Sequence, residues 1–105
     1  MFEPALTNIG IVLPHAGYWE GIRDLCDQTG TLLLIDETHT ISAGPGGATG
    51  AWGLAPDIVT IGKTLGAGIP SAAYGMTEEV QRRIVEGTDR DAIDAGGTGG
   101  TLAGN

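Results

Sequence analysis

Cysteine is almost missing from this chain. Cys26 stands alone, so neither a disulfide framework nor a cysteine-based metal site can be built within it, and a reducing compartment suits it. Positive charge is nearly as scarce: five Lys and Arg face thirteen Asp and Glu, for a formal net charge of −8. Phosphate backbones are held by clustered basic side chains, and here only Arg82 and Arg83 are adjacent. No nucleic-acid partner is expected. Long apolar runs are lacking too. No stretch reaches the ~18 residues of a membrane span, and no basic-then-apolar leader opens the chain, so no membrane partner is expected and a cytoplasmic location is the default. Aromatics make up only 5% of residues, which allows a core but not a rich one.

Glycine is what the chain has in excess, at 19 of 105 residues against a usual share of roughly 7%. That usage signals tight turns and close backbone approaches, not a compact helical bundle. The length suits one core. Met1-Phe2-Glu3-Pro4 meets a proline before any element, and Gly104-Asn105 stops in a loop-like stretch; both ends are expected to be cuts in a longer chain.

Residues 1–14 show little local order. Over 16–28 the apolar positions Tyr18, Ile22, Leu25 and Cys26 recur at helical spacing, with Glu20, Arg23, Asp24 and Asp27 on the other face. Gly30 is a good helix stop. Residues 31–35 read as a strand that is apolar on both faces, as in the middle of a parallel sheet. Helix then buried strand is half of a βαβ unit, so the fold class is α/β. Residues 41–56, marked by Gly44-Pro45-Gly46-Gly47, Gly50, Gly53 and Pro56, read as a long loop, of a length that is usually functional or disordered. A second buried strand at 57–61 leads to Gly62-Lys63, and 69–74 reads as a third. Thr77 with Glu78 and Glu79 caps a helix to about residue 86. Residues 87–105 are acidic, then glycine-rich.

Two features carry chemistry. Leu32-Leu33-Leu34-Ile35 delivers Asp36-Glu37-Thr38-His39, and Lys63, the only lysine, follows Asp36 by 27 positions. Nucleotide-hydrolysing motors also place Asp-Glu-x-His at a strand end, and Gly62-Lys63-Thr64 resembles the close of a phosphate loop. That reading fails, because Asp57 stands where the loop needs glycine and the lysine loop must precede the acidic strand. Asp36 then sits where open α/β sheets bind ligands, at the C-terminal end of a strand; its bland alternative is a helix cap. Lys63 is either a solvated surface lysine or a nucleophile.

Here a family resemblance bears on the choice. Glu3-Pro4 and Asn8, Gly17-Tyr18 with Glu20-Gly21 and Arg23-Asp24-Leu25, Leu33-Leu34-Ile35-Asp36-Glu37, Gly46-Gly47-Ala48, Pro56-Asp57 with Thr60-Ile61-Gly62-Lys63, Gly66 with Gly68-Ile69-Pro70, and Gly100-Thr101-Leu102-Ala103-Gly104-Asn105 together resemble class III aminotransferases. These are pyridoxal-phosphate enzymes of fold type I. Within them the pattern is similar to glutamate-1-semialdehyde aminomutases and related aminotransferases.

The resemblance implies that residues 1–105 are a central to C-terminal part of the mostly parallel-sheet large domain, without a complete second domain. It implies a pyridoxal 5'-phosphate cofactor, an amino acid or amino-aldehyde substrate, amino-group transfer and a homodimer. Asp36 matches the partner of the pyridine nitrogen, where a carboxylate favours the protonated ring. Lys63 matches the Schiff-base lysine, whose amine attacks an aldehyde only when neutral and then moves a proton. Thr38, where the family usually has valine, shares the face of Asp36 by strand alternation. Asn8 resembles the asparagine near the ring's phenolic oxygen, and Thr101 the threonine that reaches the phosphate of the neighbouring subunit. His39 replaces the family's Gln or Met; a bond to the phenolic oxygen and a loop-capping role both stay open. Glu37 points away from the ring and reads as structural. The Asp36–Lys63 spacing is one residue shorter than in the aminomutases, which places a deletion in the 41–46 loop. The upstream phosphate loop, the stacking aromatic residue, the substrate-carboxylate arginine and the small domain have no counterpart here. The alternative expectation is therefore a catalytically inactive fragment of such an enzyme.

Overall fold

The computed structural model describes residues 1–87. Its elements in order are α1 (Tyr18–Thr29), β1 (Leu34–Asp36), a 3-10 turn (Ile41–Ala43), α2 (Gly47–Trp52), β2 (Ile58–Ile61), a second 3-10 turn (Lys63–Gly66), β3 (Ala73–Met76) and α3 (Glu78–Gly87). The strands form one sheet in the order β1-β2-β3. β1 and β2 are parallel, with Leu34, Ile35 and Asp36 opposite Ile58, Val59 and Thr60. β3 returns antiparallel to β2. On the other edge Phe2 bridges Ile35 in parallel sense, its N–H donating to Leu34 O at 3.0 Å and its carbonyl accepting from Asp36 N at 2.8 Å. The α/β class is therefore what forms, and among the described residues the sheet is mixed: one parallel and one antiparallel strand pair, with the parallel Phe2 bridge at the edge.

Local chemistry explains the boundaries. α1 packs Cys26 against Leu33 and Ile35, with Trp19, Ile22 and Leu54 around them, and it stops at Gly30, where Thr31 N returns to Cys26 O at 2.9 Å. Leu33, Ile35 and Glu37 are buried while Leu34, Asp36 and Thr38 are only half-buried, so β1 alternates after all. Complete burial of Ile35 is worth roughly 2–3 kcal/mol. Asp57 adds direction: its Oδ2 accepts from Leu33 N at 2.7 Å and from Arg23 Nη1 at 2.9 Å. A partly exposed pair of this kind is worth about 1 kcal/mol or less. Apolar burial holds α1 on the sheet, and the pair sets its orientation. Three of the five aromatic side chains close the same edge. Phe2 meets Trp19 edge-on at 6.0 Å and Tyr18 at 6.5 Å.

Several expectations are corrected. Residues 1–14 are tied in by the Phe2 bridge and by a hairpin in which Leu6 and Val12 exchange backbone hydrogen bonds of 3.0 and 3.1 Å. Arg23 is not a solvated helix face but the link to Asp57. The third strand begins at Ala73 instead of Ile69, because the turn after Lys63 folds back until Ser71 packs on Gly66. The 41–56 segment is no open loop, since it contains α2.

Glu37 is the reason α2 exists. Its side chain, 1% exposed, accepts from the N–H groups of Ala48 (3.2 Å) and Thr49 and from the Thr40 hydroxyl (2.5 Å). These are first-turn amides with no partner inside the helix, and a carboxylate there also meets the positive end of the helix dipole. Only glycine fits at position 47: its φ is +62°, and a Cβ would stand 2.8–2.9 Å from the Glu37 carboxylate. Burial alone pushes the Glu37 carboxyl up, but the bonds from Thr40, Thr49 and Ala48 outweigh it and hold it below its ordinary value. A depressed carboxylate contributes stability that is present above the unfolded-state value and lost as pH falls through the folded one. Glu37→Gln, which turns amide donors towards helix N–H groups, is expected to cost about 1–3 kcal/mol at neutral pH in denaturant melts. The deficit should shrink as pH falls below about 4; a deficit constant with pH would contradict the ionised cap.

Candidate active site

The parallel register decides what meets at the sheet's C-terminal edge. Asp36 closes β1 opposite Thr60, and the ladder runs one step further through Glu37 N to Thr60 O at 2.9 Å. β2 continues to Gly62, which is buried and extended, and then to Lys63. A Cβ on Gly62 would lie 3.6 Å from Thr38 Cγ2 and 3.9 Å from Ala72 Cβ. The strand end is thus threaded between the post-β1 turn and the segment leading to β3.

Asp36 is kept as an anion. Burial opposes ionisation, but the Thr38 hydroxyl, the Thr38 N–H (2.9 Å to Oδ1), the Thr60 hydroxyl and the nearby His39 together lower the carboxyl below its ordinary value. The hydroxyl that distinguishes Thr38 from valine thus favours the ionised form of Asp36. Asp36 and Glu37 part company by strand alternation, as expected: one faces the open edge and the other caps α2.

Lys63 has a left-handed backbone, φ +47°, a conformation that costs a side-chain-bearing residue on the order of 1 kcal/mol. Such strain persists where the surrounding chain over-determines it, here by the 3-10 turn that starts at Lys63 and the buried Gly62 before it. The Lys63 ammonium reaches His39 Nε2. His39 is held from its far side by the N-terminal segment: Nδ1 meets the Thr7 hydroxyl and lies 3.6 Å from Glu3 Oε2, and Thr7 donates to Glu3 at 2.7 Å.

Of the residues expected from sequence, Asp36, Thr38, His39 and Lys63 gather at this edge. Asn8 sits exposed in the 6–12 hairpin, and no hydrogen bond joins it to the others. Thr101 lies outside the described residues. Glu3 and Thr7 were not expected as site residues. Their spacing of four is visible in the sequence, but their shared target, His39, is more than thirty positions away, and the Phe2–Ile35 bridge lays the two segments side by side. Among the described residues no cluster of three or more His, Cys, Asp or Glu could hold a metal ion, and no helix is long and apolar enough to cross a membrane.

The strain at Lys63 is testable without any ligand. Lys63→Gly should be more stable than Lys63→Ala by about 1 kcal/mol, because only the second keeps a Cβ at positive φ. Equal stabilities in denaturant titration would mean that the left-handed conformation is not adopted.

Comparison with known proteins places the chain in a family. The family model for Aminotransferase class-III matches residues 1–105. The glutamate-1-semialdehyde 2,1-aminomutase 1 of Lachnoclostridium phytofermentans is 40% identical over 104 residues, 98% of this chain and 23% of that protein. Among solved structures, a variant of the glutamate-1-semialdehyde-aminomutase from Pseudomonas aeruginosa in complex with PMP aligns with a TM-score of 0.86 at 44% identity. That alignment covers 99% of this chain and 24% of that one. An omega-transaminase from Thermomicrobium roseum aligns with a TM-score of 0.74 at 30% identity, over 87% of this chain and 21% of that one. The chain spans about a quarter of the length of the first two of these relatives. The α/β arrangement is that of fold type I pyridoxal-phosphate enzymes. The chain belongs to the class III aminotransferase family.

Proposed function

We propose that residues 1–105 supply the aspartate–lysine half of a pyridoxal-phosphate site in an amino-group-transferring enzyme, an aminotransferase or a glutamate-1-semialdehyde aminomutase. The observation that carries it is the juxtaposition of an ionised Asp36 with Gly62-Lys63 at the C-terminal edge of two in-register parallel strands. The donor set fits the cofactor: a fixed anion for a ring N–H, and one amine for an aldehyde. Relatives that include a PMP-bound aminomutase support the same group.

Pyridoxal phosphate, when bound, supplies a protonated ring that draws electrons from the bonds of the substrate carbon beside nitrogen. Asp36 holds that ring proton, since its own carboxylate stays ionised through the Thr38 and Thr60 bonds. Lys63 provides the amine that anchors the cofactor covalently, and when freed it carries a proton at Nζ. Thr38 keeps Asp36 aimed. Asn8, next in sequence to Thr7, is assigned to the phenolic oxygen, and Thr101 to the phosphate of the partner's cofactor in a homodimer. In this reading the chain is part of the large, cofactor-binding domain, the substrate is an amino acid or amino-aldehyde, and the enzyme is cytoplasmic.

A second reading, of a chain that folds and binds but does not turn over alone, is favoured by the apolar side chains of Ile9, Ile11, Leu13 and Ile69. Each is between 63% and 80% exposed, as faces that other segments cover in a complete enzyme.

One experiment tests both. Mixed with pyridoxal phosphate, the chain should develop a visible absorption band, and borohydride reduction should fix the pyridoxyl group on Lys63 in peptide mass maps. Lys63→Ala should lose the band. Asp36→Asn should keep the modified position but bind at least about tenfold more weakly. A band that survives Lys63→Ala sinks the assignment, whereas a lysine-dependent band without turnover of amino donors supports the second reading.

A further inference from the structure

The function proposed above uses Asp36 and Lys63 and leaves Glu3, Thr7 and His39 without a task. Yet these three form a continuous row of polar contacts that ends on the Lys63 nitrogen. Its directions can be worked out from donor counts. Thr7 has one hydroxyl proton, and it goes to Glu3 Oε2 at 2.7 Å. The Thr7 hydroxyl oxygen, its proton already given to Glu3, meets His39 Nδ1, so it must accept there, and Nδ1 must carry the ring proton. In a neutral imidazole the other nitrogen is then a bare acceptor. That nitrogen, Nε2, is the one in contact with Lys63 Nζ, and an ammonium group can only donate. The charged groups facing the ring are Glu3 from the N-terminal segment, Asp36 from β1 and Lys63 from the turn after β2.

We propose that Glu3, Thr7 and His39 form a proton-accepting relay for Lys63, with His39 as its positioning residue; the assignment rests on the reading of Lys63 as the cofactor amine. In the transfer, one Nζ–H bond of the ammonium breaks and an Nε2–H bond forms. Lys63 is left neutral with a free lone pair, the form that adds to a carbonyl. The imidazolium that results lies 3.6 Å from the Glu3 carboxylate, which offsets its charge, and Asp36 stabilises it from the sheet side. No proton or electron is needed from outside. A histidine is required for this: glutamine could hold the lysine at the same place but could not take its proton.

The test reads His39 directly and contains no cofactor. In the full chain labelled with 15N-histidine, long-range 1H–15N spectra at about pH 8, where free imidazole is neutral, should show His39 protonated at Nδ1 and bare at Nε2. The chain has two histidines, so one His15→Gln variant assigns the signals. Thr7→Val or, should that variant fail to fold, Glu3→Gln should shift His39 towards the Nε2–H form. Separately, acylation of Lys63 by acetic anhydride at fixed pH, measured against the Met1 amine, should slow about tenfold in both His39→Gln and His39→Leu. A wild-type Nε2–H tautomer overturns the relay, as does an acylation rate unchanged in His39→Gln. Neither result touches the pyridoxal-phosphate band, so the relay and the cofactor assignment stand or fall separately.

Discussion

Two strands of three and four residues, paired in parallel at a single register, hold the whole site in place. Asp36 faces Thr60 only in this register. A slip of one residue would turn Asp36 into the core and Glu37 to the open edge. The register is pinned from both ends. At the start, Asp57 accepts from Leu33 N while its own N–H donates to Leu33 O at 2.9 Å. At the finish, Glu37 N donates to Thr60 O and the Glu37 side chain disappears into the base of α2. Burial of Ile35 supplies the larger energy, and the carboxylates supply the alignment.

Three acidic residues thus do three different things because of where their strand positions aim them. Asp57 fastens α1 to the sheet, Glu37 builds α2 out of a glycine-rich segment, and Asp36 is left as a fixed anion at the open edge. All three are held below their ordinary carboxyl values despite burial that works the other way. What separates Asp36 from the other two is the identity of the donors: Asp57 is taken up by Leu33 N and the Arg23 guanidinium, and Glu37 by the first amides of α2 and the Thr40 hydroxyl, while the donors to Asp36 come from its own turn and its neighbour strand.

Much of this was legible in the sequence. The 3.6-residue spacing of Tyr18, Ile22, Leu25 and Cys26 located α1, and the aliphatic runs before Asp36 and Gly62 located both parallel strands. Period-two alternation separated Asp36 and Thr38 from Glu37. What could not be read were the consequences of tertiary contact. α2 is invisible in a run of glycines because its stability comes from a carboxylate ten positions earlier. Arg23 looks solvent-facing until Asp57, at the entry to β2, reaches it. His39 left two roles open, since neither the Thr7 contact nor the Lys63 contact is local. Family resemblance singled out Asp36 and Lys63, but it carried no information about the residues that hold His39.

One register brings an ionised Asp36 and Lys63, the chain's only lysine, to the same edge of the sheet, and the central proposal is that this edge takes a pyridine ring bearing an aldehyde. A crystal structure of the chain soaked with pyridoxal phosphate tests it most directly. Expected is density continuous with Lys63 Nζ, with the ring nitrogen about 2.7–2.9 Å from an Asp36 oxygen, the distance of a charge-assisted hydrogen bond. Density attached to the Met1 amine, or a ring bound to Lys63 with its nitrogen turned away from Asp36, would contradict it.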